Sequence, residues 1–182
     1  GPFKTMQDLA SGPKSKSGLF RPTTLGENGV KHPVFVWGCG GGSNPASYAE
    51  LLTQVASHGF VVIAEVENIG DNGAPLLAAA DWLVAENGKE SSPLYQKLDM
   101  SKLGLGGHSI GSVNSFIAGT DPRWTTTIHV AGGSLDNVND PNAGDAVVDT
   151  VETTGLPISP GPFAGTAMNC RACHMVDDVL TA

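Results

Sequence analysis

The sequence predicts an α/β fold built on a doubly wound, mostly parallel sheet. Short apolar segments alternate along the chain with segments whose apolar residues recur at helical spacing. One short segment, Phe60 to Ala64, is apolar at every position, which is typical of a strand buried on both faces of a parallel sheet. The length of 182 residues suits one domain with an ordinary core. In such a fold the loops that follow the strands share one edge of the sheet, where ligands bind.

The first predicted β-α unit follows a polar lead-in. Residues 1–29 are rich in Gly, Pro, Ser and Thr and predict irregular structure or an edge strand. The segment Val34 to Trp37 predicts a strand, and the glycines of 38–42 end it. A helix is expected next, because Asn44 is a good N-cap and Pro45 loses no hydrogen bond in the first helical position.

The remaining elements continue this alternation. Helical spacing assigns an apolar face to the first helix, which ends at His58-Gly59, and to a second helix, which ends near Asn87. The expected faces are Tyr48, Leu51, Leu52 and Val55 in the first helix, and Leu76, Leu77, Ala80, Leu83 and Val84 in the second. Further along, Leu103 to Gly106 predicts a strand, 112–118 a third helix and Thr125 to Val130 a β-branched strand.

Composition excludes several classes of partner. Ten basic and eighteen acidic residues give a net charge of −8, and the longest basic cluster is Lys14 to Lys16. Nucleic acid and anionic membranes are therefore not expected to bind. No apolar run reaches the ~18 residues of a membrane span. The N-terminal residues lack the apolar core of a signal peptide, so the residues alone predict a cytosolic or already processed chain. Oligomeric state is left open.

The candidate catalytic motif is Gly107-His108-Ser109-Ile110-Gly111. A Gly-x-Ser-x-Gly sequence between a strand and a helix is the context in which a serine becomes a nucleophile. The turn is sharp, and side chains at either glycine would collide with the neighbouring strand and helix. Chance alone would place this pattern in roughly a quarter of chains with this composition, so its surroundings decide its meaning.

Those surroundings resemble a known family. Residues 1 to about 135 resemble the cutinase-like and polyester-hydrolase (PET hydrolase-like) branch of the α/β-hydrolase fold. The matching segments, in order, are Gly1-Pro2-Phe3, His32-Pro33-Val34, the glycine-rich loop 38–42, Ala56-Ser57-His58-Gly59-Phe60-Val61-Val62, Asp81-Trp82-Leu83, the motif 107–111 and Asp121-Pro122-Arg123.

The resemblance implies a serine carboxylic ester hydrolase that acts on esters or polyesters without a cofactor. Ser109 would attack the ester carbonyl, and the N–H group of Ile110, the residue after the nucleophile, would bind the oxyanion. The family resemblance assigns the second oxyanion donor to Gly41. Trp37 and the loop 132–134 are expected to wall an open cleft. The resemblance also implies a secreted or periplasmic protein.

The acid and base of a catalytic triad are not recognisable after residue 136. In this fold both follow the nucleophile in the chain, the acid before the histidine. Asp145 and Asp149 fall near the spacing of the acid, and His174 is the candidate base. We therefore expect an α/β-hydrolase-type sheet that is incomplete at its C-terminal end, with a hydrolase core over 1–136 and an atypical segment over 137–182. A truncated, inactive hydrolase is the alternative.

Other residues with possible chemistry are assigned structural roles. His58 ends a helix, His108 lines the cleft, His129 packs within a strand, and Cys39 is a small loop or core residue. The glycine-rich loop lacks the Gly-Lys-Ser/Thr of a phosphate-binding loop, which argues against a nucleotide site.

A second motif lies near the C-terminus. Cys170-Arg-Ala-Cys173-His174 is the attachment signature of c-type haem, expected by chance in about one such chain in a thousand. The segment 140–182 resembles the start of a bacterial cytochrome c domain, which implies haem c binding and electron transfer as the alternative function. Only eight residues follow His174, too few for a haem pocket. A strained Cys170–Cys173 disulfide, free thiols and a partial zinc site also remain open.

Overall fold

The computed structural model describes residues 1–68 and 70–132. Within this part of the chain, six strands and three α-helices follow one another, with short 3₁₀ helices between some of them. The strands are β1 (Thr5–Ser11), β2 (Ser17–Pro22), β3 (His32–Gly38), β4 (Val61–Glu65), β5 (Leu98–His108) and β6 (Thr126–Val130). The α-helices are α1 (Ala49–Ser57), α2 (Ala74–Gly88) and α3 (Ile110–Ala118). The predicted boundary at residue 136 lies outside the described residues.

The strands form one mixed sheet in the order β1-β2-β4-β3-β5-β6. The pairs β4–β3, β3–β5 and β5–β6 are parallel, whereas β1 and β2 are antiparallel to their neighbours. The α/β class and the mostly parallel sheet agree with the prediction. Of the two predictions for the polar lead-in, irregular structure and an edge strand, the second is confirmed, since the lead-in supplies two paired strands at one edge of the sheet.

Helices cover both faces of the sheet, as expected of a doubly wound fold. One face packs against α1 through a cluster of Phe20, Phe35, Trp37, Cys39, Leu52, Ala56, Val62 and Ala64. The other packs against α2 through a larger cluster that includes Val34, Val36, Val61, Ile63, Leu76, Leu83, Leu103 and Leu105. Two residues assigned to helix faces are exposed instead: Leu51 by 49% and Val84 by 47%.

Strand β5 is longer than its apolar pattern predicts. It begins at Leu98, which pairs with His32, and its register then shifts so that Leu103 pairs with Val34. The polar residues Ser101 and Lys102 lie at this irregularity and are exposed. Because they interrupt the apolar run, the sequence shows only the second half of the strand.

The carboxyl ends of three neighbouring strands meet at one edge of the sheet. Gly38 at the end of β3 pairs with Gly107 in β5, and Gly107 pairs with His129 in β6. The glycine-rich loop and the Gly-x-Ser-x-Gly turn are therefore adjacent, because each follows the carboxyl end of one of two neighbouring parallel strands. In the part of the chain that the structure describes, no helix is long and apolar enough to cross a membrane.

Candidate functional site

Ser109 occupies a sharp turn between β5 and α3. Its backbone lies at φ 54° and ψ −119°, in a region that side-chain-bearing residues rarely adopt. Two main-chain hydrogen bonds hold it: its N–H donates to the carbonyl of Val130 (2.9 Å), and its carbonyl accepts from the N–H of Val113 (3.0 Å). The side chain is half-buried. The serine predicted as nucleophile thus has the strained conformation of a nucleophile elbow.

The glycines of the motif are required by space, as predicted. A Cβ on Gly107 would collide with the main chain of Gly111, and a Cβ on Gly111 would collide with the carbonyl of Gly38. Gly38 in turn lies so close to Gly111 that its own Cβ would be 2.8 Å from the Gly111 Cα. The start of α3 and the end of β3 therefore pack main chain against main chain.

This packing brings the glycine-rich loop beside the elbow. Gly41, the predicted oxyanion donor, is exposed, and a Cβ on it would lie 3.5 Å from Cγ1 of Ile110. The N–H of the preceding residue, Gly40, is already donated to the hydroxyl of Tyr48 (2.9 Å). The structure thus places Gly41 and Ile110 next to each other at the edge where Ser109 lies.

Tyr48 joins the loop to the elbow, a contact that sequence reasoning missed. Its hydroxyl lies 2.8 Å from Nδ1 of His108 and 3.1 Å from Oγ of Ser43. The Ser43 hydroxyl donates to the carbonyl of Gly40 (2.6 Å). Helical spacing had marked Tyr48 only as part of an apolar face, and nothing in the sequence links it to a histidine sixty residues away.

The expected cleft wall at Trp37 is wrong. Its side chain is 3% exposed and packs in the core, with its ring centroid 5.6 Å from that of Tyr48. The residues of β3 alternate between two covered faces of the sheet. The Trp37 indole therefore packs in the cluster between the sheet and α1, and not against solvent. Gly132 does lie beside the elbow, where its Cβ would be 3.2 Å from the carbonyl of Ser109. Residues 133 and 134 are outside the described residues.

The histidines assigned to structure take structural positions. His129 in β6 is 7% exposed, bonds Oγ of Ser115 through Nδ1 (2.9 Å) and stacks on Phe116 at 3.6 Å. Burial lowers the pKa of His129 to about 4, so the ring is neutral at pH 7. His58 follows the last residue of α1, and its main-chain N–H bonds carbonyls of that helix.

Two buried carboxyl groups at the end of β4 were not predicted. Glu65 accepts a hydrogen bond from Ser17 (2.5 Å), and Glu67, 1% exposed, accepts one from the Asn114 side chain (2.6 Å). Burial raises the pKa of Glu65 to about 7 and that of Glu67 to about 8. Burial and these carboxyl groups also raise the pKa of Cys39 to about 12, so its thiol is inert.

The described residues contain no triad base. No histidine within 1–68 and 70–132 bonds the Ser109 hydroxyl. Three sets of candidate residues lie outside the described residues: the base His174, the acids Asp145 and Asp149, and the haem-type residues Cys170 and Cys173. In the described ranges, no group of three His, Cys, Asp or Glu side chains is arranged to hold a metal ion.

A comparison with protein families matches residues 1–138 to the model of PET hydrolase-like proteins. The match contains the glycine-rich loop, the elbow and the whole described sheet, and it stops before the Cys-x-x-Cys-His motif. No curated protein matches the chain. The match spans well over half of the sequence and agrees with the α/β-hydrolase arrangement of strands, elbow and helix. The chain therefore belongs to the PET hydrolase-like family.

Proposed function

We propose that this protein is a serine carboxylic ester hydrolase that acts on esters or polyesters, with Ser109 as its nucleophile. The observation that carries the proposal is the left-handed backbone of Ser109 at the start of α3. A strained residue persists only where its surroundings enforce it, and such residues concentrate at active sites. Here the main-chain contact between Gly111 and Gly38 enforces it.

The oxyanion would form between the glycine-rich loop and the helix. Attack by the Ser109 Oγ on the ester carbonyl moves the carbonyl electron pair onto oxygen, which needs main-chain donors. Support for Gly41 and Ile110 comes from their proximity and from the use of the Gly40 N–H by Tyr48. The N-terminal end of α3 adds a partial positive charge at the same place. An oxyanion donor is worth about 3 kcal/mol in the transition state.

The proton of the Ser109 hydroxyl must pass to a base, which then returns it to the leaving alcohol. His174 is the base we propose, with Asp145 or Asp149 as candidate acids. Without a base the rate falls by several powers of ten. We also propose that the protein is secreted or periplasmic. The reasons are its membership of the PET hydrolase-like family and the location of polyester substrates outside the cell.

The test compares wild-type protein with Ser109→Ala. A fluorophosphonate probe should label wild-type protein, and p-nitrophenyl butyrate should be hydrolysed. Both reactions should be lost in Ser109→Ala and retained in Ser91→Ala, which changes an exposed serine away from the elbow. Labelling that persists in Ser109→Ala would assign the nucleophile elsewhere, and wild-type protein that neither reacts nor turns over would refute the proposal.

The proposed base is tested separately with His174→Ala. Loss of turnover with retained fold would support its role, because a fluorophosphonate and an ester both need an activated serine. Turnover equal to wild type would remove His174 from the mechanism and leave Ser109 in place.

A further inference from the structure

We propose that Tyr48 is a positioning residue whose hydroxyl locks the oxyanion loop to the nucleophile elbow by bonding the Gly40 N–H and the His108 ring together. This inference rests on the proposed function, because it assigns Tyr48 a part in setting the oxyanion site. Tyr48 itself does not touch the reacting atoms.

The polar groups around Tyr48 support one assignment of its hydrogen bonds. The Gly40 N–H can only donate, so the Tyr48 oxygen accepts from it (2.9 Å). The Ser43 hydroxyl donates its hydrogen bond to the Gly40 carbonyl (2.6 Å). The Tyr48 proton is then free to go to Nδ1 of His108, the nearer of its two remaining neighbours at 2.8 Å against 3.1 Å for Ser43. In this assignment Nδ1 of His108 is the acceptor and carries no proton.

Packing leaves little freedom for this arrangement. A Cβ on Gly40 would lie 2.8 Å from Nδ1 of His108 and 2.9 Å from the Tyr48 oxygen, so the loop main chain touches both side chains. The Tyr48 ring is held edge-on to the buried Trp37 at 5.6 Å between centroids. The packing against Trp37 therefore holds the Tyr48 side chain in place and fixes the position of its hydroxyl.

The consequence follows from chain order. Gly40 directly precedes Gly41, and His108 directly precedes Ser109. One hydroxyl thus bonds the residue next to a proposed oxyanion donor and the residue next to the proposed nucleophile. Loss of this bond would leave the fold intact but let the Gly41 N–H drift relative to Ser109, and a displacement of about 1 Å can cost roughly 100-fold in rate.

The experiment uses Tyr48→Phe in the 182-residue chain, with Tyr95→Phe as the matched control. Phenylalanine keeps the ring that packs on Trp37 and removes only the oxygen. Tyr95 is half-buried and its hydroxyl bonds the Gln96 side chain, away from the elbow. We expect Tyr48→Phe to lower kcat for p-nitrophenyl butyrate, and the rate of fluorophosphonate labelling, about 10- to 100-fold with KM unchanged. Tyr95→Phe should match wild type.

A second pair of variants tests whether Tyr48 acts through its bond to His108. His108→Asn keeps an acceptor near the place of Nδ1, whereas His108→Ala does not, so the asparagine variant should retain more of kcat. The Tyr48→Phe change should cost less in the His108→Ala background than in wild type, because the bond is already absent there.

Four results would overturn the inference. If Tyr48→Phe lowers the melting temperature but leaves kcat unchanged, the hydroxyl serves only the fold. If His108→Asn and His108→Ala are equally slow and the effect of Tyr48→Phe is the same in every background, the residues are not coupled. Wild-type protein that shows no labelling would overturn the proposed function, and the inference with it, whereas active wild type with equally active Tyr48→Phe would overturn the inference alone.

Discussion

The strained backbone of Ser109 is imposed by the packing of the elements around it. Its positive φ costs on the order of 1–3 kcal/mol, which the surrounding packing must offset. The sequence predicted this turn correctly, because the glycines at 107 and 111 are needed for steric reasons that local chemistry makes visible. The bond between Tyr48 and His108 could not be predicted, since it depends on which side chains two distant elements bring together.

Replacement of Gly111 by alanine is expected to destabilise the protein by about 2–4 kcal/mol and to abolish turnover. The added Cβ would collide with the main-chain carbonyls of Gly38 and Cys39. These groups belong to the backbone and cannot move aside as a flexible side chain could. Urea unfolding and p-nitrophenyl butyrate turnover measure the two effects.

Gly88→Ala is the control for that substitution. Gly88 ends α2 with nothing within 4 Å of its Cβ position, so alanine should leave activity unchanged and stabilise the helix by up to about 1 kcal/mol. A Gly111→Ala protein as stable and active as Gly88→Ala would show that the elbow has more room than the packing of α3 on β3 indicates.

At the scale of elements, the resemblance singled out two separate motifs that the structure joins. Arg123, in the connection from α3 to β6, donates to Asp121 (2.9–3.1 Å) and to Asp81 in α2 (2.5 Å). The Arg123–Asp121 bonds lower the pKa of Asp121. This fork of one guanidinium and two carboxylates ties α2 to the loop that leads into β6, the strand that bonds Ser109 through Val130.

Loss of this fork in Arg123→Ala is expected to cost about 1 kcal/mol in the free energy of unfolding. Asp121→Asn should cost more than Asp81→Asn, because Asp81 is 67% exposed and its pair is screened by solvent. Urea unfolding at low and high salt measures both, and the cost of Arg123→Ala should shrink at high salt. Equal costs for the two aspartate variants, independent of salt, would contradict the assignment.

The elements themselves were predictable where their patterns are local. The apolar run Phe60 to Ala64 falls on β4 (Val61–Glu65), as predicted. Asn44 caps a 3₁₀ helix (Pro45–Tyr48) that leads into α1, and its side chain accepts from the N–H of Ala46 (3.0 Å), as an N-cap should. The pairing of β1 with β2 and the first half of β5 were not predicted. Strand β1 and the first half of β5 carry polar residues at exposed positions. Strand β2 is mostly buried but holds only two large apolar residues, Leu19 and Phe20, so the pairing of main-chain groups, which leaves no mark on composition, defines these segments.

At the scale of the whole molecule, the described core carries ionisable groups whose pKa values burial shifts in favour of their neutral forms. Glu65 and Glu67 have pKa values raised to about 7 and 8, and His129 has a pKa lowered to about 4. Sequence reasoning missed both glutamates, because acidic residues are almost always exposed and nothing local marks these two. Their positions follow from topology, because β4 is covered on both faces. At its carboxyl end Glu65 is buried against Ser17, and Glu67, just beyond it, is buried against Asn114.

These groups set the direction in which stability changes with pH. A carboxyl group whose pKa is raised on folding gives stability that is complete below the unfolded pKa and is lost as the pH rises through the folded pKa. For Glu65 and Glu67 that window runs from about 4.5 to about 8. The lowered pKa of His129 acts in the opposite direction, since its contribution is complete above about 6.5 and is lost as the pH falls through about 4. Two carboxyl groups outweigh one imidazole across the window that they share, so we expect the protein to be more stable at pH 5 than at pH 8.5.

The Glu67→Gln variant tests this balance. Glutamine keeps the size and an acceptor for the Asn114 amide but does not ionise, so the variant should gain on the order of 4 kcal/mol over wild type at pH 8.5 and much less at pH 5. Urea unfolding across this range should give a flatter curve for Glu67→Gln, with the slope that remains owed to Glu65. Glu90→Gln, at an exposed position, should follow the wild-type curve after a constant offset. If Glu67→Gln runs parallel to wild type at every pH, Glu67 is ionised in the folded protein, and its burial must then be balanced by a charge that the described residues do not supply.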